Sequence, residues 1–354
     1  MLSRRTLLAG LGVAGIGVIG VGGLAGCAGE AGASGSATGG ASGSANGAED
    51  GALPVTIEHK YGKTTVQQAP ERIVCVGLKE QDDLLAVGLV PVGATSWLDF
   101  GDKGVLGKWA EPKAADAKIT VLNQDDGIQF EKIAALQPDL ILALYSGISQ
   151  ADYDKLSRLA PVVAAPKGLV EYGIGWQDQA GTVGQAVGRP AQMQQVIDET
   201  RTKISKAADE HPEFDGRSGL VVTLYEGIYV YGPQDPRSRL ITELGFALPD
   251  DLAKAAGDRS FGDSISMEKI GLIDTDALIW LVSGSNADFK TLAKNKLYQN
   301  LRVARQGRAI TIESLSDLDN AFNFSTALSI PYALDQLVPR LVAAVDGDPS
   351  TKTD

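Results

Sequence analysis

The chain is short of the residues from which transition-metal and disulfide sites are built. It has two histidines, His59 and His211, and two cysteines, Cys27 and Cys75, in 354 residues. A directly bound zinc or manganese ion needs roughly three or four His, Asp or Glu ligands, usually with histidines among them. Two distant histidines argue against such a centre, so no bound metal and no cofactor are expected. Two cysteines allow one disulfide, and none if Cys27 is modified. Positive charge is scarce as well: 32 Lys and Arg stand against 44 Asp and Glu, a net charge of −12. That balance excludes nucleic acid and an anionic membrane surface as the main partner. The 44% hydrophobic content is ample for two cores, and the length is natural for two domains.

What the chain does have is one stretch twice. Residues 129–147 read QFEKIAALQPDLILALYSG and residues 266–284 read SMEKIGLIDTDALIWLVSG. A shift of 137 positions matches seven of the nineteen residues: Glu131/Glu268, Lys132/Lys269, Ile133/Ile270, Asp139/Asp276, Leu144/Leu281, Ser146/Ser283 and Gly147/Gly284. Each copy has the pattern of a short helix, a turn at the aspartate and an apolar run with the length of a buried strand. Two copies predict two similar α/β lobes.

Around these copies, strand and helix signals alternate. The runs at 55–59, 72–78, 90–94, 140–144 and 161–165 predict strands, with helices at 82–88 and 153–159 between them. This spacing points to an α/β fold with mainly parallel, doubly wound sheets. After Pro190, apolar residues at Met193, Val196, Ile197, Ile204, Ala207 and Ala208 mark one face of a long helix that stops before Pro212. Beyond it, 219–225 and 228–231 predict a hairpin around Glu226-Gly227. Helices follow at 240–244, 295–304 and 332–345, with a strand at 309–312. The expected organisation is a segment 1–26, a Gly/Ala/Ser tether at 27–52, a lobe at 53–187, a linker helix at 188–212, a lobe at 213–347 and a disordered tail at 348–354.

The first segment pairs Ser3-Arg4-Arg5 with an uncharged run from Leu7 to Leu24 and ends in Leu24-Ala25-Gly26-Cys27. It resembles a twin-arginine signal peptide closing on the lipobox of bacterial lipoproteins. By that resemblance Cys27 is lipidated and anchors the chain to the outer face of the cytoplasmic membrane, since two acyl chains hold where one is marginal. Gly10-Leu11-Gly12-Val13-Ala14-Gly15 fits a dinucleotide fingerprint in form, but no strand precedes it.

The order tether, lobe, helix, lobe, with the phrases APERIVCVG, QPDLILALYSG, YVYGPQDPRSRLITELGF and LSIPYALDQL, resembles the ferric-siderophore substrate-binding lipoproteins of ABC importers. These belong to the helix-linked class III periplasmic binding proteins, which also include haem and cobalamin binders. The resemblance covers about residues 54–345 and implies a monomer that holds a ferric siderophore between its lobes and delivers it to a permease dimer. Ligands of open α/β sheets bind beyond the carboxyl ends of the strands. That rule selects Lys79, Glu80, Trp97, Tyr145 and Ser146 in the first lobe. In the second it selects Tyr225, Tyr231, Arg237, Arg259, Phe261 and Phe322. Aromatic rings would stack on a chelate's greasy shell, and guanidinium groups would hydrogen-bond its oxygens. Glu131 and Glu268, each in the first turn of its repeat helix, are implied by the resemblance to dock on the permease; plain complementation of the helix dipole is the simpler alternative. The rival from another class is an enzyme. Ser266-Met267-Glu268-Lys269 matches the S-x-x-K of penicillin-recognising serine hydrolases, but the SDN and KTG partners are missing.

Overall fold

The computed structural model describes residues 47–98, 100, 104–124, 127–250, 261–283, 286–351 and 353. Cys27, the segment 1–26 and Arg259 lie outside the described residues.

A hairpin of β1 (Val55–His59) and β2 (Gly62–Val66) opens the chain. Strict alternation puts Ile57, His59, Thr64 and Val66 inward. The first sheet follows: β3 (Ile73–Cys75), α1 (Glu80–Ala86), β4 (Gly93–Thr95), α2 (Glu111–Ala114), β5 (Thr120–Leu122), α3 (Phe130–Ala135), β6 (Leu140–Ala143), α4 (Gln150–Leu156) and β7 (Val162–Ala164). Its order is β5-β4-β3-β6-β7, with every pairing parallel. β3, β6 and β7 are buried at every position, which is why they read as unbroken apolar runs. The chain winds from β3 through β4 to β5 on one side, then from β6 to β7 on the other. The sheet therefore reverses direction between β3 and β6.

Helix α5 (Trp176–Ala186) leads into α6 (Pro190–Glu210), 21 residues long and thus about 30 Å. Proline opens α6 at its first position, where no amide donor is needed. Met193, Ile197, Thr200 and Ile204 form its buried stripe, and the other faces are polar. This helix carries the chain to the second sheet.

There the elements are β8 (Gly219–Leu224), β9 (Ile228–Tyr231), α7 (Pro236–Glu243), β10 (Gly262–Ile265), a 3-10 helix at Met267–Ile273, β11 (Ala277–Val282), α8 (Ala287–Ala293), α9 (Lys296–Gln299), α10 (Arg302–Arg305), β12 (Ala309–Glu313), α11 (Asp317–Phe324) and α12 (Ser329–Asp346). The order is β10-β9-β8-β11-β12. The winding plan is that of the first sheet, with β8 and β11 at the reversal. One difference is local in origin. The link from β8 to β9 is a three-residue turn, too short for a parallel crossover, so β9 returns antiparallel. Glu226 at φ 49° and Gly227 at φ 118° make that turn.

The two copies of the repeat occupy matching places, and the structure explains the shared aspartate. Asp139 accepts hydrogen bonds from the Glu71 and Arg72 amides, 2.8 Å each, just ahead of β3. Asp276 accepts from the amide and hydroxyl of Ser218, 3.1 and 2.9 Å, just ahead of β8. Each aspartate pins the entry of the strand beside its own.

Several boundaries differ from those expected. The second repeat helix is 3-10, with Gly271 inside it. The expected helix 295–304 divides at Asn300-Leu301, where Leu301 is extended, into two four-residue turns. The helix expected at 240–244 starts at Pro236, because the Asp235 side chain caps it by accepting from the Arg237 amide at 2.9 Å. The final helix begins at Ser329, with Pro331 inside its first turn, where a proline breaks no internal bond. Strands β2, β5 and β10 were not expected; all are short, and β10 is a largely exposed edge strand.

Candidate functional site

The loops leaving β3 and β6 meet at the reversal of the first sheet, and they carry charge into the interior. Lys79, Glu80, Gln81, Asp82 and Asp83 are all buried. Four of them, Lys79, Glu80, Asp82 and Asp83, are held by specific partners. Glu80 accepts from the backbone amides of Leu144 (2.7 Å), Tyr145 (2.8 Å) and Lys79 (3.1 Å), so one carboxylate ends two neighbouring strands. Asp83 accepts from Gln179 at 2.6 Å. Asp82 accepts through one oxygen from Trp109 and from Thr326, both at 2.6 Å. Its other oxygen is buried with no hydrogen-bond partner among the described residues.

Two bonds cross from this region to the end of α11 and the segment that follows it. Lys79 Nζ donates to the Phe324 carbonyl at 2.9 Å, and Thr326 supplies the Asp82 contact. The same ammonium lies 4.0 Å from the centre of the Tyr145 ring, a cation–π contact in a dry setting. Tyr145 in turn packs edge-on against Tyr172, 5.3 Å between centroids.

The second lobe faces this group with Arg237. Its guanidinium makes a forked pair with Asp235, Nε to Oδ1 at 2.8 Å and Nη2 to Oδ2 at 2.6 Å. It also donates to Asn323 and lies 3.6 Å from the centre of the Tyr231 ring. Asn323 precedes Phe324, so Arg237 and Lys79 are held through adjacent residues. Phe324 then opens an aromatic group: Trp97 stacks on it at 5.9 Å, and Phe100 and Trp109 meet it edge-on at 5.4 and 5.5 Å. Trp97 is 37% exposed at the rim; Phe100, Trp109, Tyr172 and Tyr231 are half-buried, and Phe324, Lys79, Tyr145 and Arg237 are buried.

Burial dominates the titration of this region. It lowers Lys79 from 10.5 to about 8, against the pull of Asp83 and Glu80. It raises Asp82 from 3.8 to about 6, against its bonds from Thr326 and Trp109. It also holds Asp83 well above the usual carboxylate range. For Asp82 the folded state binds protons more tightly than the unfolded chain, so its contribution to stability is full below about pH 4 and is lost as pH rises through about 6. Asp82→Asn keeps an acceptor for Thr326 and Trp109 but removes the titration. We expect urea unfolding at pH 4 and at pH 7 to show the difference between variant and wild type shifting by about 1–3 kcal/mol toward the variant at the higher pH. A difference that does not change with pH would refute the assignment.

Of the residues selected from the sequence, Trp97, Tyr145, Tyr231 and Arg237 lie in this assembly, with Lys79 and Glu80. Ser146 is buried and donates to the Ala143 carbonyl at 2.7 Å. Phe261 is half-buried beside Gly232, whose amide donates to its carbonyl at 2.8 Å. Two selections fall elsewhere. Phe322 is fully buried in the hydrophobic core, and Phe324 is the residue of α11 that reaches the assembly. Both rings are fully buried; Phe322 packs with Leu318 and Ala321 in the hydrophobic core, while Phe324 packs against Trp97, Phe100 and Trp109. Tyr225 is 65% exposed at the β8–β9 turn and lines a separate surface pocket of about 340 Å³ with Glu226, Met267 and Asp288. Asp82, Trp109, Asn323 and Phe324 were not selected. Their roles depend on partners far away in sequence.

Glu131 and Glu268 are exposed, in the first turns of α3 and of the 3-10 helix. Neither makes an ion pair among the described residues. No group of three or more His, Cys, Asp or Glu among the described residues is placed to hold a metal ion. His59 shares a hydrogen bond with Thr64 at 2.9 Å, and His211 lies 3.0 Å from Glu213.

Two α/β sheets with one reversal each, a single long helix between them and aromatic side chains converging from both sides define a bilobal binding protein. The chain belongs to the periplasmic binding protein family, whose model matches residues 73–315. It is 26% identical over 275 residues to the putative ABC transporter substrate-binding lipoprotein YhfQ of Bacillus subtilis, covering 73% of this chain and 81% of that one. It is 23% identical over 266 residues to the Fe(3+) dicitrate-binding periplasmic protein FecB of Escherichia coli, covering 74% and 83%. Among solved structures, PiaA of Streptococcus pneumoniae in complex with ferrichrome superimposes with a TM-score of 0.74 at 29% identity, covering 83% of this chain and 99% of that one. A periplasmic solute binding protein of Mycobacterium smegmatis does so with a TM-score of 0.71 at 35% identity, covering 82% and 98%. This is a family of ABC transporter substrate-binding proteins and not of enzymes. Ser266 and Lys269, the S-x-x-K match of the rival hydrolase reading, are both exposed.

Proposed function

We propose that this chain is an extracytoplasmic lipoprotein that captures a ferric siderophore between its lobes and delivers it to the permease of an ABC importer. The observation that carries the reading is the aromatic and cationic assembly bridging the lobes, from Trp97 and Phe324 through Lys79 and Tyr145 to Arg237 and Tyr231. Rings suit the flat apolar shell of a coordinated iron, and the protein need not touch the metal. Relatives that bind ferric dicitrate and ferrichrome, by their names, support the same class. In this reading residues 1–26 are the signal, Cys27 carries the lipid, the stretch to residue 52 is a tether, and 53–187 and 213–347 are the lobes about the linker 188–212. No helix among the described residues is long and apolar enough to cross a membrane.

Tryptophan fluorescence is the direct test, because Trp97 and Trp109 lie at the proposed ligand while Trp176 and Trp280 are buried elsewhere. Ferric siderophores at micromolar concentration should quench the full chain saturably. A weakened response in Trp97→Phe, and its loss when Trp109→Phe is added, would assign it to this assembly. Quenching only by haem or cobalamin, or by nothing, would overturn the proposal.

A further inference from the structure

We infer that this cleft selects ferric chelates of zero or positive net charge over polyanionic ones, a ligand class that rests on the siderophore-binding reading above. Lysine and arginine at a cleft invite the opposite conclusion, and the structure removes it one cation at a time. Arg237, facing Tyr231, has its charge matched by the forked carboxylate of Asp235, and Asp235 is itself fully buried. Lys79 is spent on the Phe324 carbonyl and lies among the carboxylates of Glu80 and Asp83. Arg239 donates to the Gly173 carbonyl at 2.7 Å, with Asp235 and Glu243 as its nearby acids. At the rim, Lys108 is paired with Asp317.

Among the described residues, every cation of the cleft is thus satisfied by this chain's own oxygen atoms. A polyanion would have to displace Asp235 from Arg237 or approach that carboxylate closely. Either way it meets like charge in a poorly screened setting. A neutral chelate meets no such opposition. A cationic one gains from the partly exposed ring of Trp97, which attracts positive charge. The specificity comes from the intramolecular pairing, not from a shortage of cations.

The test titrates the full chain, by the same fluorescence, with four probes: a neutral cyclic ferric trihydroxamate, a cationic linear ferric trihydroxamate, ferric citrate and a trianionic ferric tricatecholate. The neutral and cationic probes should bind at least about tenfold more tightly than the trianion, a difference of about 1.4 kcal/mol. A trianion that binds equally or more tightly overturns the inference and leaves the siderophore reading standing. Failure of all four to bind overturns the siderophore reading itself. Asp235→Asn, which strips Arg237 of its counter-charge, should narrow the ratio between neutral and trianionic probes by about tenfold or more; an unchanged ratio counts against the pairing as its source. Should that variant fail to fold, the salt dependence of the wild type decides. Raising NaCl from about 50 to about 500 mM should leave trianion binding level or tighter, because repulsion is screened. A marked loss of affinity would reveal a net attractive site and overturn the inference.

Discussion

Glu80→Ala should destabilise the chain by about 3–5 kcal/mol, the largest effect expected from any single change to the site. The carboxylate accepts three backbone amides, those of Leu144, Tyr145 and Lys79, and is fully buried. Truncation leaves those donors without acceptors and removes a negative charge from beside the buried Lys79. Glu80→Gln should be much milder, since its carbonyl can still receive the Leu144 and Tyr145 amides. The backbone is shaped around this side chain: a Cβ placed on Gly77 would lie 1.8 Å from Glu80 Oε1. Gly77→Ala should therefore destabilise as well. Chemical denaturation of the three variants checks the set. An alanine variant within about 1 kcal/mol of wild type would show that the carboxylate is not what terminates the two strands.

The second large effect is on transport and not on binding. Glu131→Ala combined with Glu268→Ala should abolish uptake in cells while changing ligand affinity by no more than about twofold. Both glutamates are exposed, lie at matching places in the two lobes and have no ion-pair partner among the described residues. Paired carboxylates suit the basic residues of a two-subunit permease. Surface ion pairs are individually weak and salt-screened, so in the proposed docking such pairs would set register more than affinity. An unchanged uptake rate in the double variant would refute the docking role.

The sequence carried the architecture where burial leaves a local mark. Leu140–Ala143 and Ala277–Val282 are buried throughout, so each reads as an apolar run whatever its surroundings. The stripe of Met193, Ile197 and Ile204 marked the long helix to within a residue of its end. Charges at the head of α1 gave no such mark. Lys79 to Asp83 look like a solvated helix start, yet all are buried, because their partners come from Phe324, Thr326 and Gln179, from about one hundred to well over two hundred residues away in the chain. No periodicity encodes a partner at that distance. The choice between Phe322 and Phe324 left no local mark either: both are fully buried, and only their partners tell them apart. Tyr225 was placed by the rule of strand ends. β8 does end there, but the tight turn into β9 carries the ring outward to the surface pocket beside Met267.

The paired aspartates Asp139 and Asp276 divide each lobe's labour between its two ends. Each fastens the entry of the central strand, at the floor of its sheet, whereas Lys79, Glu80 and Tyr145 project from the opposite ends of β3 and β6. Outside the buried Glu80 network, a sheet held at its floor can have its upper loops rewritten with little effect on assembly. The two copies already display that freedom: the floors keep the same aspartate, while Tyr145 above one is Val282 above the other. A lineage built this way can change its cargo by altering one rim and leaving the foundations alone.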